Sequence, residues 1–248
     1  MRAVADPVPC VRCPLTSRPG LRPHDDEELR AIQEFKTGEV RVDRGEVLVE
    51  QGITRGSLYT VLEGMLMRYR TLQDGRRQIV NFMFPGDLVG LEGAFGEPAS
   101  HSVEALLPAR LCVFDSARYY DLIVSCPSLG YDITWLAAKE ETALEEHIVA
   151  LGRRSARERV AYLALWLIER AQGTCMAAGG NRLEVVITQT QIADMLGLSL
   201  VHTNRTIKVL ERAGIVLWRQ GAIEVPDLDA AADFAHAPRG KEKRRPFL

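Results

Sequence analysis

The stretch from Thr188 to Glu211, TQTQIADMLGLSLVHTNRTIKVLE, constrains the fold more than any other part of the chain. Thr188 can cap a helix by accepting a free backbone N–H of its opening turn. Ile192, Met195 and Leu196 then recur on one face, Gly197 supplies the left-handed residue that ends the helix, and Leu198 plugs the corner. Ser199 caps a second helix, in which Thr203, Ile207 and Leu210 fall on one side and Val201, Asn204, Arg205 and Lys208 on the other. Two short helices at a tight turn, one face packed and the other free, describe a helix-turn-helix. Such a unit lays the N-terminal part of its second helix in the DNA major groove, where Arg205 can grip guanine and Asn204 adenine with paired hydrogen bonds. A helical hairpin with a merely solvated outer face is the competing reading.

Charge distribution favours the first reading. The net charge of -2 hides an asymmetry. Residues 1–151 hold 16 Lys/Arg against 23 Asp/Glu, whereas residues 152–220 hold 10 against 5, so the basic surplus lies with the helix-turn-helix. At 248 residues, 46% hydrophobic and 26% charged, the chain has room for two modest domains with real cores. The longest apolar run, Ala161 to Ile168, is far short of the roughly 20 residues of a membrane span, and the N-terminus lacks a signal-peptide core. These features place the chain in the cytoplasm, away from any membrane, so its five cysteines read as thiols or metal ligands before disulfides.

Along the chain, residues 1–24 form a Pro-rich, flexible arm that carries Cys10 and Cys13 and has little to pack with. Residues 25–126 open with a short helix, Asp25 to Phe35. Short Val-, Leu-, Tyr- and Phe-rich runs broken by regularly spaced glycines follow, as in a compact antiparallel β structure. Ser57–Leu62, Met65–Thr71 and Arg77–Phe84 are its clearest strands, and Gln73-Asp74-Gly75 is a hairpin turn. Residues 127–152 form one long helix. Its stripe through Ala137, Glu141, Leu144, Ile148 and Leu151 suits a dimer seam, or packs on the chain's own β domain. Residues 153–226 hold a helix (Ala156–Ala171), a loop (173–181), a strand (Leu183–Ile187), the helix-turn-helix, and a hairpin of 215–220 with Ile223–Val225, together a winged helix. In the tail, 227–248, the run GKEKRR (240–245) reads as solvated. The fold class is therefore α+β.

In this order the parts resemble the Crp/Fnr family of bacterial transcription regulators over residues 25–225. The more specific marks are Phe84-Pro85-Gly86-Asp87-Leu88-Val89-Gly90, Arg157-Glu158-Arg159-Val160-Ala161, and Ile187-Thr188 leading to Gly197-Leu198-Ser199 and Arg205. The resemblance implies an N-terminal β-roll, a jelly roll like that of cyclic-nucleotide-binding domains, and a long dimerisation helix before the winged helix-turn-helix. It further implies a homodimer on a two-fold symmetric double-stranded DNA site, in contact with RNA polymerase. Thr188, Ser199, Val201, His202, Asn204, Arg205 and Lys208 become the expected DNA-binding residues. Valine stands at position 201 where the family places a glutamate, and His202 and Asn204 replace smaller neighbours, which predicts an altered half-site. In the roll, Leu91 stands where the cyclic-AMP branch has a glutamate, and only Ser100, His101 and Ser102 occupy the place of its Arg-Ser pair. A buried phosphate there would lack its cationic fork, so cyclic AMP is disfavoured, while Glu92 and His101 keep another polar ligand open.

Cys10 and Cys13 resemble the start of the N-terminal cysteine cluster of the oxygen-sensing branch, with Cys112 at the matching place near the end of the roll. An iron–sulfur cluster normally takes four cysteines; here three are present, with Asp25, Asp26 or His24 as conceivable fourth ligands. Reversible thiol oxidation, a zinc site and no role at all stand beside that reading. Cys126 and Cys175 read as buried apolar residues. If the long helix is the seam, paired Glu141 side chains oppose association until a signal moves them; otherwise Glu141 lies at the flank and reaches water. No nucleophile elbow, P-loop or His-Glu-x-x-His pattern points to an enzyme. The expected function is a transcription regulator, an activator in the Fnr manner, answering to oxygen or redox state. A small ligand in the roll, constitutive activity and a DNA-silent interaction module are the alternatives.

Overall fold

The computed structural model describes residues 1–248 except Arg55, Ala178, Gly179, Val186, Gln220, Pro238, Lys241 and Glu242. Parts of the expected 173–181 loop, of the strands ending at 187 and 220, and of the 240–245 charge run therefore lie outside the described residues. The chain divides into two compact units, 1–140 with 244–248, and 141–243. No helix among the described residues is long and apolar enough to cross a membrane.

The first unit holds β1 (Arg2–Ala3), a 3-10 turn (Cys10–Arg12), α1 (Asp26–Phe35), β2 (Lys36–Val42), β3 (Val47–Val49), β4 (Ser57–Thr71), β5 (Arg77–Met83), β6 (Leu88–Val89), β7 (Ser102–Asp115), α2 (Tyr119–Ser125) and the start of α3 (Pro127–Arg153). The strands form one antiparallel sheet of order β1-β2-β7-β4-β5, with β3 added on β7 and β6 on β4. The two strands expected at 57–62 and 65–71 are one, because Gly64 carries β4 across a bulge at φ +88°. A Cβ at this position would lie 2.3 Å from the Pro108 carbonyl oxygen, so only glycine lets the strands approach.

Strand alternation builds two cores. Val61, Leu66, Val103, Ala105 and Leu111 point inside the roll. Leu58, Leu62, Cys112 and Phe114 point outward onto α1, α2, the start of α3, the N-terminal arm and the last two residues. The arm therefore has a partner, contrary to the expectation of a flexible segment. Leu15 is fully buried and Leu21 nearly so, each burial contributing about 2 kcal/mol. The tail also returns to this unit: the Arg245 N–H donates to Gly20 O, its guanidinium pairs with Asp87 at 3.1 Å, and Phe247 and Leu248 are buried. Of the run expected to be solvated, Arg245 is thus held, because its neighbours Phe247 and Leu248 complete the outer core.

The second unit contains the rest of α3, α4 (Ala156–Gly173), β8 (Arg182–Leu183), α5 (Gln189–Leu196), α6 (Leu200–Arg212), β9 (Leu217–Arg219), β10 (Ala222–Glu224) and α7 (Leu228–Phe234). A capping box of Ser155 and Glu158 starts α4. Its almost wholly buried run Val160 to Leu165 forms the floor on which α5, α6, α7 and the three-stranded wing, order β8-β10-β9, rest. Cys175, expected to be buried, is exposed at φ +54°, in the turn that follows α4.

Candidate functional site

The helix-turn-helix is built as its residues dictate. Thr188 and Gln191 close a capping box at the start of α5: the Gln191 N–H donates to the Thr188 hydroxyl (3.2 Å) and the Thr188 N–H to Gln191 Oε1 (2.8 Å). Gly197 ends the helix at φ +62°, and the Leu198 N–H closes the turn on Ala193 O. Ser199 caps α6 by accepting from the His202 N–H at 3.3 Å. Inward, Thr203, Thr206, Ile207 and Leu210 are buried; outward, Val201 (63% exposed), His202, Arg205 and Lys208 face solvent. Neither Arg205 nor Lys208 has a carboxylate partner among the described residues. This is a cationic, apolar-tipped surface that can accept phosphate and base edges.

Three of the expected contact residues have internal work, Ser199 through the α6 cap just described. Thr188 spends its hydroxyl on the cap, and half-buried Asn204 donates through Nδ2 to Gln189 Oε1 at 2.9 Å, which ties α6 to the start of α5. Gln189 carries no signal in the sequence, because its partner lies 15 positions away. Sequence reasoning also missed the start of α4 as part of this surface. Ser155, Ala156 and Arg157 line an open groove of about 670 Å³ together with His202, Arg205, Thr206 and Val209. The Arg159 guanidinium fixes this junction by donating to Leu196 O (3.2 Å) and Arg154 O (2.9 Å).

The stripe assigned to the dimer seam divides. Ala137, Glu141 and Ile148 are exposed, whereas Leu144 and Leu151 are half-buried, the latter packing beside Gly197. The exposed face of α3 runs Tyr131, Thr134, Ala138, Glu141, Glu145 and Ile148, at alternating steps of three and four.

Inside the first unit, Cys10 is buried under β7, Cys112 points out from β7 toward it, and Cys13 packs on the same core. Cys112 lies opposite Glu39 in the β2–β7 ladder. The fully buried Glu39 carboxylate accepts from Lys36 Nζ (2.6 Å), Arg110 Nε (2.6 Å) and the Val8 N–H (2.8 Å). Burial pushes Glu39 upward, but Arg110 and Lys36 outweigh it and hold the carboxyl below its ordinary range. Burial pushes the Cys10 thiol up to about 11 and Cys112 up to about 12, with Lys36 opposing only in part, and raises Cys13 as well. All three are neutral thiols at pH 7.

This donor set does not fit a four-ligand metal group as it stands. Zinc at about 2.3 Å from each sulfur needs sulfurs about 4 Å apart. Among the described residues, the three-ligand group whose atoms lie within 4.8 Å of one another is His24, Glu28 and Asp132, and not the cysteines. Cys126 is a fourth cysteine buried in the same outer core as Cys10 and Cys112, with Cys13 packed against it, while the non-cysteine candidates are engaged elsewhere. Asp25 caps α1 by accepting from the Glu27 and Glu28 N–H groups, and Asp26 is the first residue of that helix. His24 is held against Glu28 (3.2 Å) and Phe247. The His24 group is itself occupied by the Arg22 guanidinium, which pairs with both Glu28 and Asp132.

In the roll, Glu92 accepts from the Ser100 hydroxyl at 2.6 Å and lies 3.7 Å from His101 Nδ1. Burial lowers His101 to about 4, with Arg68 and then Arg70 acting in the same direction against Glu92. Across the same mouth, Arg68 pairs with Glu140 of α3, and Asn81 Nδ2 donates to the same carboxylate oxygen at 2.7 Å.

Comparison with known proteins agrees with this architecture. Residues 39–126 match the family described as cyclic nucleotide-binding domain and residues 158–233 the Crp-like helix-turn-helix domain. The chain is 32% identical over 218 residues to the nitrogen fixation regulation protein FixK of Bradyrhizobium diazoefficiens, covering 88% of this chain and 90% of that one. It is 27% identical to the transcriptional activator protein FnrL of Cereibacter sphaeroides, over 84% of this chain and 83% of that one. The structure of FixK2 from Bradyrhizobium japonicum superposes with a TM-score of 0.70 at 25% identity, covering 81% of this chain and 98% of that one. With this likeness on top of the roll, the long helix and a capped helix-turn-helix, the chain belongs to the Crp/Fnr family of DNA-binding transcription regulators, not enzymes.

Proposed function

We propose that the protein is a homodimeric activator that reads a two-fold symmetric DNA site with α6, contacts RNA polymerase, and answers to oxygen or redox state rather than to cyclic AMP. The observation that carries the DNA reading is the outward face of α6, where Arg205 and Lys208 stand without partners among the described residues on a capped helix. The continuous exposed stripe on α3 supports pairing of two copies. The redox reading rests on Cys10, Cys13 and Cys112, which the arm and β7 bring into one core. The thiolate is the reactive form, so burial keeps these groups silent until the arm lifts from β7 or a strong oxidant is present. This reading needs only the thiols themselves and does not call on an iron–sulfur cluster.

The test is selection of bound duplexes from a random pool by the full chain under reducing, anaerobic conditions, followed by affinity measurement before and after air. Two half-sites with centres roughly 34 Å apart should be enriched. Cyclic AMP should leave affinity unchanged, and oxidation should change it in the native chain but not in Cys10→Ser/Cys13→Ser. An unenriched pool would remove the DNA reading. An equal response to air in both proteins would move the sensor away from the arm.

A further inference from the structure

Arg68 and Asn81 are direct partners across β4 and β5. The pair two residues along, Leu66 and Met83, belongs to the interior core, as does Val103, which faces Arg68 from β7. Side chains two apart on a strand share a face, so Arg68 and Asn81 form the polar end of the roll's interior. Asn81 is only 4% exposed and the Arg68 side chain 14%. Into this end reaches Glu140, whose Oε1 receives both the Arg68 guanidinium and the Asn81 amide. Two groups of the pair stay unmatched: Arg68 Nε and Asn81 Oδ1 are buried without a hydrogen-bond partner among the described residues. Buried donors and acceptors are normally satisfied, so this end of the roll is built for more than the single carboxylate oxygen now in it.

We propose that Glu140 is a built-in ligand of the roll: its carboxylate fills, from α3, an oxyanion seat made by Arg68 and Asn81, and the seat takes a free oxyanion such as phosphate once that carboxylate is removed. The chain thus supplies from within the anion that a diffusible ligand would bring. Glu140 is also the last residue of α3 that belongs to the first unit, so the seat fastens the helix to the roll at the end of their shared length, without any small molecule. This inference is independent of the thiol reading, since nothing in it involves the cysteines.

The test uses the full chain with Glu140→Ala, Glu140→Gln and Arg68→Ala/Glu140→Ala, melted in inorganic phosphate and in chloride of equal ionic strength. Fluorescence of Trp135, five residues before Glu140 on α3, is followed alongside. Glu140→Ala should melt about 3 °C below the native chain in chloride and recover most of that loss in phosphate. The native chain and the double variant should gain only the smaller, equal increment that phosphate gives any folded protein over chloride. Equal stabilisation of native and Glu140→Ala proteins by phosphate, recovery in the double variant, or an unchanged melting point in Glu140→Ala would each overturn the proposal. If Glu140→Ala does not fold, Glu140→Gln keeps the shape and the Asn81 bond, and the exchange Arg68→Glu/Glu140→Arg gives a further measure. Melting of the exchanged protein above both single variants supports the seat; melting below both rejects it.

Discussion

Arg205 on α6 and Arg68 in the roll are both arginines on rigid elements, yet their surroundings give them opposite tasks. Arg68 is mostly buried and finds its anion within the chain, in Glu140. Arg205 is exposed and finds none among the described residues. A guanidinium whose partner is internal fixes a fold, whereas one exposed on the outer face of a capped helix stays hydrated until an external phosphate or base arrives, and is then free to give paired hydrogen bonds. The difference separates a region that holds α3 from a surface left open to solvent. The same division runs within α6, where Asn204 is tied to Gln189 while its neighbour Arg205 is not.

The sharpest break of this contrast is in the roll. Gly64→Val forces a side chain into the Pro108 carbonyl at a positive φ, and should lower stability by about 3 kcal/mol or more. Chemical unfolding followed by circular dichroism should show the loss, while exchange protection of amides in α5 and α6 stays native. Next in size, Arg205→Ala should weaken binding to the selected site by about 1–3 kcal/mol and relax discrimination at one base pair, with the melting temperature unchanged. Equal affinity for every sequence would show that α6 does not read bases. The smallest effect concerns His101. Its folded-state value lies below the unfolded one, so the unfolded chain binds more protons between about 4 and 6.5, and stability falls as pH is lowered through that window. His101→Gln should flatten the melting temperature between pH 6.5 and 4; an unchanged slope assigns the acid sensitivity to other groups.

Much of the second unit was legible because its signals are local. The caps at Thr188 and Ser199, the left-handed Gly197 and the inward face of α6 are each settled by residues within one or two helical turns. The hairpin turn at 73–75 and the β character of the roll were readable for the same reason. The arm was not, because a Pro-rich segment shows no periodicity. What orders it lies far off in sequence, in Phe114 on β7, Ile32 and Phe35 on α1, and Phe247 at the end of the chain. Within the site, Val201, His202, Arg205 and Lys208 could be placed from helical spacing alone, while the tie from Asn204 to Gln189 and the contribution of Arg157 required the packing of separate helices.

By itself, then, the sequence determined the two helices of the helix-turn-helix with their caps, the β character of the roll, and which residues of α6 turn away from the core, since these follow from backbone sterics, capping and periodicity over a few residues. Only the tertiary structure decided which charges are matched. Lys36 and Arg110 meet Glu39, Arg22 meets Glu28 and Asp132, Arg68 meets Glu140, and Arg205 meets nothing among the described residues. The reason is physical: whether a cation is an internal strut or an open hand depends on the burial and partners that chain closure brings together over as many as 158 positions, and local sequence carries no record of them.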